Sequence, residues 1–74
     1  MKLKYAPMWI TKNEFGDIVC YHYSDKQRAS NNAKLKYVVM DHDYFIGTVQ
    51  LKNNFAIAVL DTEDQAIEYI NNHD

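Results

Sequence analysis

The sequence holds little of what staples, spans or interrupts a small protein: its 74 residues include one cysteine, one proline and two glycines. A lone cysteine closes no internal disulfide and no metal-finger spacing is present, so apolar packing has to carry the fold, and a reducing, cytoplasmic setting suits such a chain. No apolar run approaches the ~18 residues of a membrane span. Met1-Lys2-Leu3-Lys4 leads into no signal-peptide hydrophobic region, so neither a membrane partner nor secretion by that route is expected. Basic residues are missing from the last part of the chain. All eight Lys and Arg lie in residues 1 to 52, while residues 53 to 74 hold five acids and no base, so a formal charge of −2 conceals a dipolar chain.

What the sequence does have is apolar and aromatic: 47% hydrophobic residues, with six tyrosines, three phenylalanines and one tryptophan. The length suits one small domain spanning residues 1 to 74, with room for one site or none, because short chains bury a smaller share of their surface. Runs rich in Val, Ile, Tyr and Phe alternate with short polar clusters, which is the pattern of successive strands. Strands are expected at 4–11, 18–24, 35–40, 44–51 and 55–60. Pro7 marks the first as an edge strand or interrupts it, since proline cannot donate to a ladder. Lys12 to Asp17 supplies a turn in which Gly16 can take positive φ. Beyond it Ile18, Cys20 and His22 alternate with Val19, Tyr21 and Tyr23 on opposite faces.

Two capping boxes stand out. Ser24-Asp25-Lys26-Gln27 predicts a short helix at about 25–32, ended by Asn31-Asn32. Thr62-Glu63-Asp64-Gln65 predicts a helix over 63–72, with Glu63 and Asp64 favoured by the helix dipole and Ala66, Ile67 and Ile70 as its apolar stripe. The links Asp41-His42-Asp43 and Lys52-Asn53-Asn54 are short enough to join the last three strands as a meander. The expected architecture is α+β: an antiparallel sheet of about five strands, a hairpin plus a three-stranded meander, with the C-terminal helix packed on one face.

Candidate chemistry is sparse. Cys20 and His22 share a strand face at the spacing of a thiolate–imidazolium pair, yet a lone strand cysteine is ordinarily a small core residue and no oxyanion site accompanies it. Asp41-His42-Asp43 offers metal-ligand atoms, but adjacent turn residues diverge, and His73 sits at a chain end where fraying is expected. Catalytic, cofactor and metal sites are therefore not expected. Tyr21, Tyr23 and Tyr37 interleave with Lys26, Arg28, Lys34 and Lys36, which pairs rings for base stacking with cations for phosphates, although four charges also suit a solvated loop. Acids at 61, 63, 64, 68 and 74 include Glu63, Asp64 and Glu68 on the helix, a ridge that could engage a basic groove. Trp9 and Phe15, with Tyr5 and Met8, lie near the first hairpin and belong to residue types enriched at interfaces, unless the aromatics merely tile a two-sided sheet.

No motif of a known family is present. In general style, a compact, acidic, Tyr- and Asn-rich α+β chain without a catalytic constellation, the protein resembles small phage-encoded or mobile-element proteins that bind and inhibit a host enzyme, anti-CRISPR proteins among them. That resemblance of kind matches no positions and assigns no residues. It implies a non-enzymatic binding module that occludes a larger protein, such as a nucleic-acid-processing enzyme or a CRISPR effector. A single-stranded nucleic-acid binder using the Tyr/Lys surface is the second reading, and a homo-oligomer, at its simplest a dimer across strand edges, the third. The first reading predicts that Trp9→Ala or Arg28→Glu weakens the complex with little change in Tm, read by thermal melting beside a binding assay. Unchanged affinity in both variants removes them as hot spots.

Overall fold

Residues 3 to 12 carry apolar side chains at both parities, Leu3, Tyr5 and Trp9 on one face and Ala6, Met8 and Ile10 on the other. A strand of that kind is stable only when both faces are covered. The computed structural model describes residues 2–23, 32–44 and 55–73. They form β1 (Leu3–Lys12), β2 (Ile18–His22), β3 (Lys34–Asp41), β4 (Ala58–Leu60) and α1 (Glu63–His73), an α+β arrangement. All strand pairs are antiparallel and the order is β2-β1-β3-β4, so β1 lies inside the sheet.

This placement corrects the reading of Pro7 as an edge marker. The His42 N–H donates to the Lys2 carbonyl at 2.8 Å, so the even-numbered residues of β1 exchange bonds with β3, and the odd-numbered ones turn their polar groups toward β2. β2 extends only to His22, opposite Trp9. Pro7 therefore lies beyond the end of β2, where a missing N–H costs no β1–β2 bond.

The meander is also corrected. β3 pairs along its whole length with β1 on one edge, and at Tyr37, Val38 and Val39 with β4 on the other. At those three positions β4, from the end of the expected fifth strand, holds the edge of β3. The strand expected at 44–51, apart from Tyr44, and the short helix at 25–32, apart from Asn32, lie outside the described residues, which hold four strands. The fifth expected strand, 55–60, shortens to β4. Residues 55 to 57 approach it, with the Ile57 N–H donating to the Val39 carbonyl at 2.7 Å.

Both sheet faces are covered. On one, Ala6, Met8, Ile10, Val38 and Met40 are buried, and Tyr44, Phe55, Ala56 and Val59 pack over them with Ile18 and Tyr21. The Phe55 ring is stacked on Tyr44 with centroids 4.9 Å apart and meets Tyr21 edge-on at 4.8 Å. On the other, Ala66 of α1 is buried with Leu3 and Val39, and Tyr5, Tyr37, Tyr69 and Ile70 surround them. The helix stripe is thus Ala66, Tyr69 and Ile70 rather than Ala66, Ile67 and Ile70, and Ile67 is 40% exposed. In a helix the side chains three and four positions past Ala66 share its face, while Ile67 is rotated about 100° away.

Helix α1 starts at the expected capping box. The Gln65 N–H donates to Thr62 Oγ1 at 3.2 Å, and Gln65 Oε1 accepts from the Asp61 and Thr62 amides at 3.0 and 3.2 Å. His73 belongs to its last turn instead of fraying: its ring stacks on Tyr69 at 4.0 Å and its Nδ1–H donates to the Tyr69 carbonyl at 2.8 Å. Among the described residues no helix is long and apolar enough to cross a membrane.

Met8 and Met40 are fully buried on neighbouring central strands, so truncation leaves a cavity that the flanking strands cannot close. Met8→Ala is expected to cost about 2–5 kcal/mol in urea unfolding, the range for buried large-to-Ala changes. A cost below that range would mean the β1–β3 core is not the centre of stability.

Candidate functional site

The hairpin between β1 and β2 is a built turn. Asn13 organises it: its Oδ1 accepts from the Phe15 and Asp17 amides at 2.9 and 3.0 Å, and its own N–H donates to the Asp17 carbonyl at 2.9 Å. The Gly16 N–H donates to the Asn13 carbonyl at 3.1 Å, and Gly16 has φ of 86°, the positive value expected of it. At the end of this turn Phe15 is 80% exposed. The β1–β2 register shifts between Thr11 and Lys12, leaving Val19 with no opposite residue; Val19 is exposed beside the turn. The shift also breaks the alternation read from the sequence. Ile18 packs with Tyr21 against the Met8 face, away from Cys20 and His22.

Trp9 is half-buried on the central strand, in one cross-strand row with His22 and Leu35. It is not on an edge, and its truncation removes packing from the sheet, so the expectation of an unchanged Tm for Trp9→Ala is corrected to a loss of stability. Cys20 and His22 share that face and are buried, and among the described residues His22 Nδ1 has no hydrogen-bond partner. Asp41 Oδ1 accepts from the Asp43 amide at 2.8 Å, so its carboxylate serves the turn, while His42 and Asp43 point to solvent. Among the described residues no three His, Cys, Asp or Glu side chains converge as metal ligands would.

The proposed stacking surface is divided. Tyr21 lies on the Met8 face against Phe55, and burial pushes its hydroxyl pKa up, whereas Tyr37 lies on the helix face, its ring 6.4 Å from Tyr5. Tyr23 is exposed after β2. Lys26 and Arg28 lie outside the described residues. Lys34 and Lys36 remain together on the Met8 face, opposite Ile10 and Met8 of β1, and Lys12 follows Ile10 on the same face. Lys12, Lys34, Lys36, Asn32 and the buried Ile10 line a cleft of about 290 Å³. Neither Lys12 nor Asn32 was expected as a site residue; the sequence marked them only as the start of a turn and the end of a short helix. The signal for Lys12 was its position two residues past Ile10, but it is legible only once β1 is known to pair with β3.

The helix acids have separate placements. Tyr5 Oη–H donates to Glu63 Oε2 at 3.0 Å, tying the start of α1 to β1, and this bond, ahead of burial and the Glu63 charge, raises the Tyr5 pKa. Asp64 is exposed in the first turn. Glu68 lines an open groove of about 440 Å³ between α1 and β4, together with Asp61, Gln65 and Tyr69. Asp61 accepts a hydrogen bond from Lys36 Nζ, and that bond and the Lys36 charge hold its carboxyl below the usual range, with a smaller contribution from Lys12. No known protein family, no curated protein and no solved structure matches this chain.

The lowered Asp61 pKa has a defined sign. A carboxyl that ionises more readily in the folded chain contributes stability above its unfolded pKa of about 4, and the contribution is lost as pH falls through its folded value. Lys36→Gln is expected to raise the Asp61 pKa toward the ordinary range in a carbon-detected NMR titration. An unchanged value would show that Lys36 does not hold the carboxylate.

Proposed function

We propose that the protein is a non-enzymatic binding module that docks the β1–β2 hairpin tip onto a larger protein and acts by occlusion. The observation that carries this reading is Phe15, a large apolar side chain that is 80% exposed at the end of a turn locked by four hydrogen bonds. An aromatic held out on a rigid turn loses little conformational entropy on binding, which is the property of an interface anchor. Burial of a Phe side chain in a partner's pocket is worth about 1.5–3 kcal/mol. Val19, exposed beside the turn, widens the apolar tip. The divided tyrosines favour this reading over a sheet-wide stacking platform for single-stranded nucleic acid.

The test is capture of tagged protein from host lysate after nuclease treatment, comparing the native chain with Phe15→Ala and with Ile67→Ala as an exposed control. A host protein retained by the native chain and the control, and lost with Phe15→Ala, is the expected result. Tm should be unchanged for Phe15→Ala, because the ring is outside both core clusters. Equal retention by all three chains, or loss of every bound protein on nuclease treatment, would refute the anchor.

A further inference from the structure

We propose that the cleft between the end of β1 and the start of β3, lined by Lys12, Lys34 and Lys36, binds an anion bearing adjacent phosphate groups. Three cations occupy neighbouring positions on one sheet face. Lys34 is the cross-strand partner of Ile10, Lys36 that of Met8, and Lys12 lies diagonal to Lys34 at the end of β1. Like charges so placed repel one another, and a multivalent anion between them removes that repulsion. Lys36 also pairs with Asp61, which lies outside the cleft lining, and among the described lining residues the three lysines stand with no carboxylate. The charges of Lys36 and, to a smaller extent, Lys12 both reach the Asp61 carboxyl and lower its pKa.

The shape and chemistry select the ligand class. Ile10, which is 3% exposed, forms an apolar floor, and a volume of about 290 Å³ admits a pyrophosphate group or the phosphates of a nucleotide but not a folded partner. Ammonium groups act as point charges with three donors each, matched to the several oxygens of a phosphate, whereas a single planar carboxylate is better served by the fork of an arginine. The site is separate from the Phe15 tip and stands or falls independently of it. Two sources could supply adjacent phosphates: a free pyrophosphate-bearing molecule, or the backbone of a single-stranded nucleic acid.

Pyrophosphate is titrated into the full chain at constant ionic strength, with binding read by calorimetry and by the rise in Tm. Saturable binding is expected, weakened about tenfold by Lys12→Gln or Lys34→Gln, the effect of losing one charge-assisted contact. Lys34→Arg should retain it, Asp61→Asn should strengthen it, and Lys2→Gln should leave it unchanged. Lys2 is eight residues from Ile10, roughly 26 Å along the strand. Phe15→Ala should also bind normally, which separates this site from the proposed docking tip. A poly-dT oligonucleotide that displaces pyrophosphate and loses affinity in the same lysine variants identifies the phosphodiester backbone as source; pyrophosphate binding without oligonucleotide binding identifies the free anion. Absence of saturable binding by either probe, or equal loss in Lys2→Gln and the cleft variants, overturns the proposal.

Discussion

The sheet depends on β1 being apolar on two sides. Met8 and Ile10 on one face and Leu3 and Tyr5 on the other each need cover, and an antiparallel strand on either edge holds β1 while two separate layers form above and below it. Every surface with a candidate role is set by that choice. The hairpin tip is carried where β1 runs beyond β3 into the turn, the lysine cleft lies where the end of β1 passes the start of β3, and α1 lies over the opposite face near the start of β1.

The two faces differ in how they are closed. The helix face is joined by a regular element whose start is tied down twice, by the Thr62–Gln65 box and by the Tyr5–Glu63 hydrogen bond. The Met8 face is closed by rings, Tyr44, Phe55 and Tyr21, whose contacts span three segments distant in sequence. Rings that a one-sided sheet would have to expose are partly used as a second cover, and Phe15 is the large exception. Its exposure is therefore informative, since the packing that absorbs the other phenylalanine described here, Phe55, does not reach it.

Much of the local structure was legible. The Thr62 box, the Gly16 turn and the extents of β1 and β3 follow from side chains that interact with backbone within a few residues, or from alternation along a single strand. The errors arose wherever a partner had to be chosen. Pro7 suggested an edge because a proline has no N–H, but which way that N–H would have pointed depends on the parity set by pairing with β3. Ile67 entered the helix stripe because it is apolar, although Tyr69 has the better angular position and a ring long enough to reach the sheet.

The candidate sites divide in the same way. Sequence alone determined that the chain is rich in strands, that a capped helix follows Thr62 and that Phe15 sits in a Gly-containing turn. Tertiary structure decided that Lys12, Lys34 and Lys36 share one face, that Tyr21 and Tyr37 part to opposite faces and that Trp9 belongs to the interior strand. The physical reason is that strand alternation is a period-2 property of one segment, whereas the identity of its neighbours depends on backbone hydrogen bonds that are chemically alike at every position. Only the packing of both sheet faces distinguishes one register from another.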